Sequence, residues 1–133
     1  MRFHRVIVLG CLAALLVGCS DVIESSHATL AAAKQDIERG WIPSILPAST
    51  VEIREWHDLD TNIGHGSFGF GEEGTEKFKS ALRALPSGES IRRVQIPREK
   101  MEREGYTFYG HGDFYLAVDW GRRRGEFWLA YSR

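Results

Sequence analysis

The last quarter of the chain constrains the fold most. "YTFYG", "DFYLAVDW" and "EFWLAYSR" are rich in aromatic and branched side chains, and "GRRRG" separates the last two. Successive side chains of a strand point to opposite faces. Phe114, Leu116 and Val118 therefore share one face, and Phe127, Leu129 and Tyr131 share one face of the partner strand. A glycine-bounded turn between two such runs predicts an antiparallel hairpin. Its apolar face must be covered by whatever precedes it in the chain.

The preceding segments read mostly as helices and loops. "TLAAAKQDIERGW" is helical from Thr29, because alanine favours helix, Leu30, Ala33 and Ile37 share a face, and Gly40 stands where a helix stops. Pro43 and Pro47 make "WIPSILPAST" irregular. In "STVEIREWHD", Ser49 or Thr50 is placed to cap a short helix. "HDLDTN" favours a turn, since its side chains hydrogen-bond their own backbone, and "GSFGF" opens a strand with Phe68 and Phe70 on one face. "TEKFKSALRALPSG" is an amphipathic helix with Phe78, Ala81, Leu82 and Leu85 as its apolar stripe. "SIRRVQI" reads as a strand, and "PREKMEREG" as a short helix with Pro97 at its first position. The expected class is α+β: a small antiparallel sheet packed by two or three helices on one face.

The N-terminus carries a different signal. Arg2 and Arg5 precede an apolar run, Val6–Val17, that is too short for a hydrocarbon core needing roughly 20 residues. The run ends in Leu16-Val17-Gly18-Cys19, which resembles a bacterial lipobox. That resemblance implies cleavage after Gly18, acylation of the Cys19 thiol and a membrane anchor of several acyl chains. Ser20 stands where enterobacterial sorting signals would hold a retention aspartate, which implies the outer membrane, facing the periplasm. The domain plan is a signal peptide at 1–18, lipidated cysteine and tether at 19–28, and a single domain at 29–133.

Composition narrows the function classes. Of 133 residues, 115 remain once the leader is removed, enough for one modest core. Cys11 leaves with the leader and Cys19 carries lipid, so the domain has no free thiol for a disulfide, a nucleophile or a thiolate metal site. Without Arg2 and Arg5, 15 basic residues face 18 acidic ones, a net charge near −3, which excludes an ordinary nucleic-acid binder.

Candidate chemistry gathers in "HDLDTNIGHGSFGF". Asp58, Asp60 and Asn62 have the rhythm that opens a calcium loop, but Ile63 and Gly69 occupy positions that need glycine and glutamate. His57, His65 and His111 with nearby aspartates could supply three metal ligands, the last two in the matching contexts Gly64-His65-Gly66 and Gly110-His111-Gly112. Arg122, Arg123 and Arg124 at the hairpin tip, with Arg92 and Arg93 on the expected strand, could meet lipid head groups or an acidic partner. No cofactor is expected.

Arg39–Asn62, "RGWIPSILPASTVEIREWHDLDTN", followed by "SFGF", resembles the YbbD head-type domain of small bacterial lipoproteins. The shared run is Gly-Trp-Ile-Pro, then Leu-Pro-Ala-Ser, then Glu-x-x-His-Asp-x-Asp-Thr-Asn. The resemblance implies that "HDLDTN" is part of a recurring loop-to-strand structure; it brings no activity with it. The expected role is a membrane-anchored lipoprotein that binds an envelope protein or component without catalysis. The alternatives are an inhibitor or immunity-type lipoprotein and a small metal-dependent hydrolase using His57, Asp58, Asp60, His65 and His111.

Overall fold

A computed structural model describes residues 21–91 and 94–130. The expected signal peptide, Cys19, Arg92, Arg93 and Tyr131 lie outside them. The elements are β1 (Val22–Thr29), α1 (Lys34–Glu38), β2 (Val51–Asp58), β3 (Ile63–Gly69), α2 (Thr75–Ala81), β4 (Arg83–Ala84), α3 (Arg98–Arg103), β5 (Thr107–His111), β6 (Phe114–Asp119) and β7 (Arg124–Ala130). All seven strands join one antiparallel sheet in the order β1-β2-β3-β7-β6-β5-β4.

This overturns the expected small sheet covered by helices on one face. The sheet dominates, and the helices have only five, seven and six residues. Three local readings account for the difference. Residues 22–29 form the first strand, paired along its length with β2, where a tether was expected. "VEIREWHD" is a strand and not a capped helix, because Ile53, Glu55 and His57 alternate inward while their neighbours point out. The "SIRRVQI" segment forms no strand among its described residues. Ile91, Val94 and Ile96 instead pack as loop side chains around Leu85, Met101, Phe108, Ala117 and Trp128.

Both faces of the sheet carry a core. On the first, Ile53, Phe68, Leu116, Val118 and Phe127 meet Phe78 of α2, Ala33 and the loop residues Ile42 and Leu46. On the second, Met101 of α3 covers Phe108, Ala117 and Trp128. The α2 stripe is shorter than expected: Phe78 is buried, but the helix stops at Ala81 and Leu85 crosses to the second core. The expected hairpin is present, with Phe114, Leu116 and Val118 opposite Leu129, Phe127 and Gly125.

Two glycines fix the closeness of the central strands. Gly66 lies opposite Phe127, and Phe68 lies opposite Gly125, so each phenyl ring covers the glycine across the β3–β7 seam. A Cβ on Gly66 would stand 2.1 Å from the Phe127 ring and 2.5 Å from the Arg54 carbonyl oxygen. One on Gly125 would stand 2.5 Å from Phe68.

Arg98 ties α3 to the preceding loop. Its guanidinium donates to the Leu85 carbonyl at 3.0 Å, the Glu89 carbonyl at 3.2 Å and the Glu102 carboxylate at 2.7 Å, over the Phe108 ring. Lysine cannot reproduce that planar fork. Arg98→Lys is expected to lower unfolding free energy by about 1–2 kcal/mol in a urea titration.

Candidate functional site

A string of polar side chains runs beneath α1 on the first face of β1 and β2. The β1–β2 register sets Ser25 opposite Glu55 and Ile23 opposite His57, and the pleat turns Ser25, His27, Glu55 and His57 to the same side. α1 crosses above them and supplies Asp36. His27 Nε2 lies 2.8 Å from Asp36 Oδ2. Ser25 Oγ lies 3.1 Å from Asp36 Oδ2 and 3.2 Å from Glu55 Oε2. Glu55 Oε1 lies 2.7 Å from His57 Nδ1. The Trp41 indole stacks on the His57 ring, centroids 3.9 Å apart and planes within 8°. Glu55 and His57 are only 3% and 4% exposed, so the inner end is sealed and the outer end, at His27, is half-buried.

The charge balance follows from this burial. Removal from water pushes the Glu55 carboxyl above its ordinary range, and the nearby Asp36 charge adds to the rise. The hydrogen bonds and charge of His57 and the Ser25 hydroxyl oppose it without cancelling it. Ser25 has a single proton to donate and two carboxylates in reach, so one acidic oxygen is satisfied by it at a time. Ser25 bonds to the two carboxylates and to neither imidazole. The string joins β1, β2 and α1 through charge-assisted hydrogen bonds and serves to position them. Trp41→Ala uncovers its inner end and is expected to cost about 2–3 kcal/mol, seen as a lower thermal midpoint in circular dichroism.

The residues singled out from sequence are dispersed. His57 belongs to the string. His65 pairs with Trp56 in register, so it points to the other face, where it stacks on Trp128 at 5.1 Å and meets Glu126 at 3.3 Å. His111 lies on β5, four strands from β2, or about 19 Å at the usual strand spacing. Among the described residues no group of three histidines, cysteines or acids is arranged to hold a metal ion. Asp58 closes the turn after β2: its Oδ1 accepts from the backbone N–H groups of Asp60 and Thr61 at 2.8 and 3.3 Å, and its carbonyl accepts from the Asn62 N–H. Asn62 takes the left-handed conformation, φ 53°, that the turn demands. The neighbouring Asp21 carboxylate, by charge and by a shared hydrogen bond, holds Asp60 above the usual carboxylate range.

Two of the hairpin-tip arginines are engaged with the protein. Arg122 bonds Asp119 Oδ2 at 3.0 Å and the Glu104 carbonyl at 2.8 Å, and Arg123 bonds Glu72 at 2.6 Å. Arg124 begins β7 opposite Asp119. Sequence reasoning missed Ser25, His27, Asp36, Trp41 and Glu55. The period-two sets Ser25-x-His27 and Ile53-x-Glu55-x-His57 were the available signal.

Comparison with known proteins places this string inside a recognised unit. Residues 21–69 match the family model of the YbbD head domain. No curated protein and no solved structure gave a significant match. The matched stretch begins one residue before β1 and stops at the last residue of β3, so its limits are those of the first three strands. It contains the whole string, the Asp58 turn and the Arg39–Asn62 segment. The first three strands of the sheet, with α1, are thus a YbbD head-type domain.

Proposed function

We propose that the protein is a lipid-anchored bacterial envelope lipoprotein, held through Cys19 at the periplasmic face of the outer membrane, that acts by binding and not by catalysis. The YbbD head domain supports an envelope-type protein. The observation that carries the non-catalytic reading is the dispersal of the titratable groups. The histidines point to opposite faces and distant strands, and Glu55 and His57 are sealed under Trp41. Among the described residues no helix covers the second face of β1–β3. It presents Arg54, Trp56, His65 and Ser67 with Glu126, a mixed polar and aromatic band suited to a protein partner. An inhibitor-type lipoprotein would use such a surface in the same way.

Cys19→Ser tests the anchor. The wild-type protein is expected to sediment with membranes and the variant to remain soluble, with mass spectrometry showing the diacylglycerol adduct on the wild type alone. A wild-type protein with an unmodified Cys19 overturns the reading.

A further inference from the structure

We infer that the anchored protein lies with the β2–β3 turn against the bilayer, Leu59 in the headgroup region, and the arginine turn at the far end pointing away from it. The inference rests on the acylation of Cys19 proposed above and adds an orientation to it.

The argument is one of chain length. Asp21 is two residues from Cys19, and two residues span at most about 7 Å. β1 begins at the next residue, so no flexible stalk separates sheet from lipid. The end of the sheet that holds Asp21 is therefore confined to the membrane surface. The Asp21 carbonyl accepts from the Leu59 N–H at 3.2 Å, which places the β2–β3 turn beside the attachment point. Among the described residues, two of the three large exposed apolar side chains are at this end, Ile23 at 44% and Leu59 at 48%. Ile23 pairs with His57, one step inside the turn. Apolar side chains at that depth gain by entering the headgroup and acyl boundary, whose upper layer is roughly 5–10 Å deep.

The strand directions fix the other end. Ile63 at the start of β3 pairs with Ala130, and Gly69 at its finish pairs with Arg124. β3 and β7 thus carry the Arg122–Arg124 turn to the opposite end, roughly 20 Å from the Leu59 turn. The arginines face away from the lipid, contrary to a head-group role. The near end instead holds Asp21, Asp58 and Asp60, so the contact favours zwitterionic over anionic lipid.

The mature chain carries no thiol besides Cys19, so Leu59→Cys and Gly121→Cys each offer one labelling site, one per end. Lipidated protein bearing a fluorophore at either site is reconstituted into phosphatidylcholine vesicles containing a phosphatidylcholine with a headgroup-proximal spin-label quencher. Quenching at position 59 is expected to exceed that at position 121 by roughly threefold, given the depth of the boundary against the strand length. Inserting about ten Gly/Ser residues after Ser20 is expected to abolish the difference, because a flexible linker frees the orientation. Equal quenching at the two sites of protein that floats with the vesicles overturns the orientation alone. Protein that does not float at all overturns the anchor beneath it.

Discussion

Gly66→Ala is expected to destabilise the protein by about 3 kcal/mol or more, because the new methyl group meets neighbours that cannot all yield. The Phe127 ring could turn, but the Arg54 carbonyl oxygen, 2.5 Å from the added carbon, belongs to the paired backbone of β2. Gly125→Ala meets the Phe68 ring at 2.5 Å and the Ala117 carbonyl at 3.0 Å. Gly69 is the control: on the same strand as Gly66, its added carbon finds no atom closer than 3.7 Å, so Gly69→Ala is expected to be nearly neutral. At the scale of a domain this size, 3 kcal/mol corresponds to a fall of roughly 12–24 °C in thermal midpoint, against a shift of a few degrees for the control. A double variant separates ring from backbone. In a Phe68→Leu background, which removes the offending ring atoms, Gly125→Ala should cost distinctly less than in the wild type. Equal midpoints for the Gly66 and Gly69 variants would refute the reciprocal packing at the seam.

The second large effect is expected from the buried Glu55–His57 pair. His57→Ala leaves a carboxylate in a sealed site without its partner, at a cost of about 3–5 kcal/mol. The pH dependence is diagnostic. Burial raises the folded carboxyl of Glu55 above the reference value of 4.5, so the folded state keeps its proton at a pH where the unfolded chain has lost it. Its contribution to stability is therefore greatest below the unfolded value and declines as pH rises from about 4.5 through the raised folded value. Glu55→Gln cannot titrate and is expected to remove that part of the slope. Urea titrations at intervals across the acid range measure it. A wild type and a Glu55→Gln variant with parallel profiles would show that Glu55 titrates normally.

The C-terminal hairpin was legible because alternation of large side chains has one physical meaning, and the "HDLDTN" turn because aspartate and asparagine bond their own backbone. β1 and β2 were obscured by their polar inward positions. Ser25, His27, Glu55 and His57 face the protein interior, yet as residue types they look like solvent-facing groups, so a buried side of the strand reads as exposed. The burial becomes intelligible only when Asp36 and Trp41 arrive from another element to partner them, and no local pattern announces that meeting. The same tertiary override shortened α2, where Leu85 is drawn to the second core. The three histidines were grouped by nearness in sequence or by matching glycine contexts. The pleat and the strand order then separated them.

The last of the described strands, β7, occupies the middle of the sheet. Ile63 waits for Ala130, and every β3–β7 partnership spans more than fifty residues, so loop closure there is slow and entropically costly. Until β7 has been synthesised and has paired, β3 has a bare edge and Phe68 lacks its glycine partner. A nascent copy stalled or clipped short of Arg124 would expose a sticky, half-built sheet to its neighbours. The integrity of the middle of the sheet would then turn on whether Arg124–Ala130 had been delivered.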